Sequence, residues 1–426
     1  MSVRTFSTPQ GALSATVRVP GSKSVANRAL ICALLAEGES RISGLPDGDD
    51  TSVIIDVLEQ IHRFRSDGDV AVIVGSRTVK LPGIIDAQLA GTSSRFLTAV
   101  AALGDGTCIV DGGEPLRGRP MADLHEALIS LGAELIPLGE LGHLPVSVSA
   151  GSMVGGQVDI RGDVSSQFIS ALMLIAPMLG DGLVIKISGE LVSRSYVEMT
   201  AAVMHAFGAQ VVVNESTIAI SPGGYVPCDY VVEPDFSSAA FPLCALAIKE
   251  GSVRIPQLGL AAMQGDSQIL NILTSMGCIV QQESSDVIVS RSSTLLRGID
   301  INMADCSDLV PAVAVAMLFA STPSRITGVG FIRRKESDRL GDLAHELRKV
   351  GAVIEVEEDG LFIQPLEDFS LGELATYHDH RLAMAFSLLA LAIDGVAIQD
   401  SEVVSKSWPS FFSDMAPILG ASTAQH

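Results

Sequence analysis

One unit recurs along this chain: an apolar helix that opens on hydroxyl or charged residues, a short strand, and an amphipathic helix that ends at a glycine. The glycines stand in Leu131-Gly132-Ala133, Phe207-Gly208-Ala209, Met276-Gly277-Cys278, Val350-Gly351-Ala352 and Leu419-Gly420-Ala421, at intervals of 76, 69, 74 and 69 residues. A further copy belongs near Ile61, and six units of 71 residues account for all 426. Each glycine is a natural helix C-cap, and most lead into a strand such as Val211-Val212-Val213. No strand is legible after the last glycine. The run Ala15-Thr16-Val17-Arg18-Val19 is therefore expected to supply it and close the ring of repeats.

Repetition of helix and strand predicts an α/β fold, and the length predicts more than one domain. Six repeats divide most simply into three plus three. The segment 223–234, with Pro227 and Pro234, is the best crossing point, because no flexible linker interrupts the chain. The predicted domains are residues 1–20 with 232–426, closed by the N-terminal strand, and residues 21–231.

The apolar runs at 29–36, 96–103, 171–179, 239–248, 310–320 and 382–393 are hydrophobic almost all round. They are too short for a bilayer, which needs about 20 residues, so they read as buried core helices. A net charge of −21 argues against nucleic acid or an anionic membrane as partner. Cys32, Cys108, Cys228, Cys244, Cys278 and Cys306 are widely spaced, without a CxxC pair or a secretory start, and read as reduced thiols of a cytoplasmic protein.

The first turns of the apolar helices hold Ser22-Lys23-Ser24 with Arg28, Gly91-Thr92-Ser93-Ser94-Arg95, Ser165-Ser166-Gln167, Ser237-Ser238, Ser307-Asp308 and Asp379-His380-Arg381. Hydroxyls there can cap the helix or hold an anion. Capping does not explain Lys23, Arg28, Arg95 and Arg381, since cations are electrostatically misplaced at helix N-termini. An external anion is expected to compensate them. Arg117 and Arg119, Ser193-Arg194 with Tyr196, Lys335-Glu336 with Asp338-Arg339, and Lys406 add to the set. A ligand pair with two phosphates and two carboxylates would need about this many cations.

Three other motifs read as bland. Gly21-Ser22-Lys23-Ser24 lacks the glycines of a Walker loop, with Thr16 where the first is required. His378 and His380 have no third ligand at zinc spacing, and Arg381 would repel a metal ion. Asp49-Asp50 reads as solvated charge on a helix N-terminus.

Gly21-Ser22-Lys23-Ser24 with Asn27-Arg28, Ala90-Gly91-Thr92 with Arg95, Arg119-Pro120, Ser165-Ser166-Gln167, Lys335-Glu336 with Asp338-Arg339-Leu340, Asp379-His380-Arg381 with Ala383-Met384, and Lys406 come in order. Together they resemble the 5-enolpyruvylshikimate-3-phosphate (EPSP) synthase family from about Pro20 to Phe411. The resemblance implies two similar domains, each of three βαβαββ units in an inside-out α/β barrel. It also implies transfer of the enolpyruvyl group of phosphoenolpyruvate to the 5-hydroxyl of shikimate 3-phosphate with release of phosphate, on the route to chorismate and aromatic amino acids.

By the same resemblance, Lys23, Gly91, Thr92, Arg119, Gln167, Arg339, Arg381 and Lys406 would hold phosphoenolpyruvate. Lys23, Ser24, Arg28, Ser165, Ser166, Gln167, Ser193, Tyr196, Asp308 and Lys335 would hold shikimate 3-phosphate. Asp308 and Glu336 would be the acid/base pair, with Lys23 sharing proton transfer. Read locally, Glu336 could equally be a helical salt bridge to Arg339. No cofactor or metal is implied, and a cytoplasmic monomer is expected. The chain begins almost at the first repeat, which predicts no plastid transit segment.

Departures from the family pattern are Ser93, Ser94 and Phe96 after Gly91-Thr92, where relatives continue Ala-Met-Arg-Pro, so glyphosate sensitivity does not carry over. Phe331 and His378 stand where relatives often have Asn, which removes two expected phosphate contacts. The closest rival, UDP-N-acetylglucosamine enolpyruvyl transferase, usually carries Cys where Glu114 stands, and Ala and Asn where Ser22 and Ser24 stand. A transferase for a specialised shikimate-like acid, a non-catalytic module and an RNA-processing enzyme are the remaining alternatives. Intact Lys23, Asp308 and Glu336 and the acidic balance argue against the last two.

Overall fold

The computed structural model describes residues 2–292, 296–420 and 422–425, so Ala421 of the last repeat motif lies outside them. The chain divides into two compact units, residues 1–20 with 233–426, and residues 21–232.

Each unit contains three four-stranded sheets among the described residues. In the sheet formed by Gly156–Arg161, Leu183–Ser188, Thr217–Ile220 and Val211–Val213, the first pair is parallel and the other two are antiparallel. A parallel pair cannot be joined by a tight turn, and the apolar helix Ser166–Ile175 makes the crossover. The amphipathic helix Arg194–Ala206 follows the second strand, completing a βαβαββ unit.

Burial shows why the apolar runs are inside. Leu183–Ser188 alternates buried and exposed residues, so one face of its sheet meets solvent. The helices Lys23–Leu35, Gly91–Leu103 and Ser166–Ile175 are buried along nearly their whole length, as are Phe236–Ile248, Val310–Met317 and His380–Ser387 in the other unit. Sheets outside and helices inside reverse the usual barrel order. No helix among the described residues is long and apolar enough to cross a membrane. Five of the six cysteines are buried and none is disulfide-bonded; burial pushes the Cys108 and Cys278 thiols up to about 11.

The ring closes differently from the expectation. A strand, Ser422–Gln425, does follow Gly420, and Val3–Phe6 lies between it and Ala397–Gln399. Ala15 and Thr16 belong instead to Leu13–Thr16, which pairs in parallel with Gly251–Ile255 and opens the fourth repeat. The polar run Ser422-Thr423-Ala424-Gln425 has no apolar alternation, so only pairing makes it a strand. In the other unit Asp229–Val231 returns to pair with Gly38–Ser43, opening the first repeat from its far end.

All five C-cap glycines have positive φ, between 73° and 123°. Near Ile61 the place is taken by His62 at φ 55°, which is why that copy carries no glycine signal. Gly251 is more constrained still. Its φ is 135°, and an added Cβ would sit 2.0 Å from the Leu13 carbonyl oxygen. We expect Gly251→Ala to cost about 2–4 kcal/mol by prying the two strands apart, read by urea denaturation. An unchanged midpoint would contradict this pairing.

Candidate active site

In the unit of residues 1–20 and 233–426, the charged residues gather where strands give way to helices. Asp308 lies in the 3-10 segment Ala304–Leu309 that leads into Val310–Met317. Lys335, Glu336 and Arg339 occupy the connection between the 3-10 turn Gly330–Arg334 and the helix Gly341–Lys349. Asp379 caps the helix His380–Ser387, its side chain accepting from the Arg381 amide at 2.9 Å. Lys406 ends the segment Ser401–Lys406.

Arg339 joins these loops. Its Nε donates to Asp379 Oδ2 at 2.7 Å, Nη1 to Asp308 Oδ1 at 2.9 Å, and Nη2 to Glu336 Oε2 at 2.7 Å. Only 1% of its side chain is exposed. A planar fork of five N–H donors can hold three carboxylates in this way, and an ammonium cannot. Asp308 also receives Lys335 Nζ at 2.6 Å and Arg381 Nη2 at 2.8 Å. Glu336 Oε1 is 3.5 Å from Lys406 Nζ.

The titration of the cluster follows from this geometry. Burial alone would raise the Asp308 carboxyl, but Arg381, Lys335 and Arg339 outweigh it and hold the group well below the usual carboxylate range. Burial likewise disfavours the Arg339 cation, yet Asp379, Glu336 and Asp308 raise its pKa above the ordinary value. Lys335 is lowered, by burial first and by the neighbouring Arg339 charge, against the pull of Asp308. Lys335, Arg339, Arg381 and Lys406 face the carboxylates Asp308, Glu336 and Asp379. Such an arrangement can hold an anion beside three fixed carboxylates.

In the unit of residues 21–232, Lys23 opens its helix with Nζ 2.8 Å from Asp50 Oδ2. This corrects the reading of Asp50 as solvated charge: it is 2% exposed and neutralises Lys23. The dipole argument places the carboxylate on the helix N-terminus, but packing buries it. Arg28 is also buried, its donors shared among Thr200 Oγ1, Ser170 Oγ and the Ser24 and Tyr196 carbonyls. Burial lowers it to about 10. Gly91 is backed by arginines, since an added Cβ would lie 2.5 Å from an Arg119 nitrogen and 2.8 Å from one of Arg95. Arg95 donates to Gln167 Oε1 at 2.7 Å, and Ser165 caps the Gln167 amide at 3.3 Å. Ser166 is buried in the same first turn, Thr92 is half-buried beside Gly91, and Ser193 holds a left-handed φ of 53° before the helix carrying Tyr196.

The misplaced helix-start cations are thus compensated from within as well. Lys23 meets Asp50, Arg381 meets Asp308, and Arg95 meets Gln167 and the Gly91 carbonyl. Sequence reasoning gave Asp50 and Asp379 no part in the site; an Asp before an apolar helix was an available capping signal for the second only. Among the departures, Ser93 Oγ donates to the Asp50 carbonyl, Ser94 Oγ to the Gly91 carbonyl, and Phe96 packs under the Arg28 guanidinium. The Lys335 ammonium lies 5.7 Å from the Phe331 ring centroid, and His378 pairs with Asp400 at 2.9 Å. No group of three metal-ligating side chains occurs among the described residues.

The enolpyruvyl transferase NikO of Streptomyces tendae shares the fold, at TM-score 0.79 with 18% identity over 100% of this chain and 99% of that one. A solved EPSP synthase of Acinetobacter baumannii matches at TM-score 0.85 with 25% identity, over the full length of both chains. The 3-phosphoshikimate 1-carboxyvinyltransferase of Shewanella loihica is 37% identical over 424 residues, covering 96% of this chain and 98% of the relative. The family model for EPSP synthase (3-phosphoshikimate 1-carboxyvinyltransferase) matches residues 7–415, and the chain belongs to that family.

Two substitutions test the site as built. Arg339→Lys should lower stability by about 3 kcal/mol or more, because one ammonium leaves buried carboxylates without partners. Asp50→Asn should cost about 1–3 kcal/mol by leaving Lys23 half-buried and unneutralised. Denaturant midpoints equal to that of the parent protein would contradict either assignment.

Proposed function

We propose that this chain performs the family reaction, transfer of the enolpyruvyl group of phosphoenolpyruvate to the 5-hydroxyl of shikimate 3-phosphate with release of phosphate. The observation that carries the reading is the Asp308–Arg339–Glu336 arrangement, two ionisable carboxylates held by one buried guanidinium.

The acceptor oxygen bonds to C2 of phosphoenolpyruvate as its proton passes to one carboxylate, while the other group, entering the step as the carboxylic acid, delivers its proton to C3. The resulting tetrahedral adduct then loses a proton from C3 and its C2–O bond to phosphate. Two acid/base groups are needed in both directions. Asp308, kept anionic by three cations, suits the hydroxyl; Glu336, tied to Arg339 and close to Lys406, suits C3. Lys23 is assigned to share proton transfer.

By the family resemblance, Lys23, Gly91, Thr92, Arg119, Gln167, Arg339, Arg381 and Lys406 are assigned to phosphoenolpyruvate. Shikimate 3-phosphate is assigned to Lys335 and Asp308, and to Lys23, Ser24, Arg28, Ser165, Ser166, Gln167, Ser193 and Tyr196. Arg28, which donates to the Ser24 and Tyr196 carbonyls, supports this ligand by fixing those two residues. The protein is proposed to act as a cytoplasmic monomer without cofactor.

Phosphate release from phosphoenolpyruvate should need shikimate 3-phosphate, be undiminished by chelator, and yield the enolpyruvyl ether by mass. Release with UDP-N-acetylglucosamine instead would overturn the acceptor. Glu336→Gln should lower kcat by about 10²–10⁴-fold with little change in KM, and Asp308→Asn should lower kcat by a similar factor while also shifting KM, because Asp308 holds Lys335 and Arg381. Parent-level turnover in either would remove that residue from the mechanism.

A further inference from the structure

Asp266 takes no part in the chemistry above, yet it is built into the same region. It sits in the short 3-10 turn Gly265–Ser267, 4% exposed, and this turn packs against the Ala304–Leu309 segment that carries Asp308 and against the start of the helix Phe236–Ile248. Its Oδ2 accepts from Ser237 Oγ. Its Oδ1 is buried and finds no hydrogen-bond partner among the described residues. Unlike Asp308, Glu336 and Asp379, it has no cation bonded to it among those residues. An ionised carboxylate buried in this way is costly, whereas the protonated acid has less to satisfy.

The groups that bear on it come from each neighbouring element. Ser237 bonds to it from the start of the helix, and the charges that act on it through space are Asp235 there, Asp308 on the 3-10 segment, where Asp266 and Asp305 in turn act on Cys306, and Arg381 on the helix His380–Ser387. Burial first, and then the Asp308 charge, push its carboxyl up to about 7; Arg381 and the Ser237 hydrogen bond oppose them, and Asp235 adds a little.

We propose that Asp266 is a positioning residue for the Asp308–Arg381 pair: its protonated form leaves the Arg381 charge to Asp308 and an incoming anion, and its ionised form competes for that charge. The inference rests on the reading of Arg381 as a phosphoenolpyruvate ligand. Raising the pH through neutrality then weakens substrate binding at Arg381 without touching the ionisation of Asp308, which lies far lower.

The proton also leaves a mark on stability. Between the ordinary carboxylate range and about 7, the folded protein binds one more proton than the unfolded chain, so stability falls as pH rises across that window. Asp266→Asn abolishes this fall and keeps the acceptor for Ser237.

The test compares parent protein, Asp266→Asn and Ser237→Ala between pH 5.5 and 8.5, by thermal melting and by KM for phosphoenolpyruvate with saturating shikimate 3-phosphate. The Tm of Asp266→Asn relative to the parent should rise by roughly 2 °C or more across the range. The ratio of parent KM to variant KM should rise about threefold or more, with kcat following no such trend. Ser237→Ala, which removes a hydrogen bond to the charged form, should move the parent's KM break to higher pH.

A flat Tm difference would show that Asp266 holds no proton and would overturn the proposal. A rising Tm difference with a flat KM ratio would overturn its link to Arg381. If no protein in the set turns over, the proposed reaction falls and the kinetic claim with it, while melting still decides the proton.

Discussion

A guanidinium with 1% of its side chain exposed cannot shed its proton, so everything around Arg339 must supply negative charge. Three carboxylates do so, and they arrive from three separate connections of the chain, at positions 308, 336 and 379. The Asp379 carboxylate also caps a helix and accepts from Ser337, which ties the cluster to the backbone. Because Arg339 takes up part of every carboxylate, Lys335, Arg381 and Lys406 are held at the same groups without full neutralisation. The result is a set of fixed carboxylates among cations, proposed above as the acid/base pair and its anion site, within a chain whose net charge is −21. Fixed dipoles and charges of this kind need no reorganisation when a ligand binds.

The repeat is what brings those connections together. Every βαβαββ unit turns its apolar helix inward, so the helix starts of one unit's three repeats can lie near each other around a common core. Neither unit is a simple run of three repeats in sequence. Residues 3–6 and 13–16 complete repeats whose other strands lie more than 230 residues away, and residues 229–231 complete the first repeat of the other unit. These distant pairings commit the chain ends to the fold.

Much of this was legible in the sequence. The glycine intervals report helix ends that need positive φ, and the continuous apolar runs report helices buried on all sides. What escaped the reading depended on tertiary pairing. Ser422–Gln425 is polar and becomes a strand only beside Val3–Phe6; His62 performs a glycine's turn without being one. At the site, residue types and order pointed to Lys23, Asp308, Lys335, Glu336, Arg339, Arg381 and Lys406, and the last six of these gather in one cluster. Asp50 and Asp266 were not legible, because nothing local distinguishes a buried Asp from a solvated one.

The central claim is that C3 of phosphoenolpyruvate gains and then loses a proton at a carboxylate held by Arg339. Running the reaction in deuterium oxide and measuring the label on the product's methylene carbon tests it most directly. The account predicts deuterium there, because a transient methyl group mixes solvent and substrate hydrogens. A product formed at full rate with no deuterium on that carbon would contradict it.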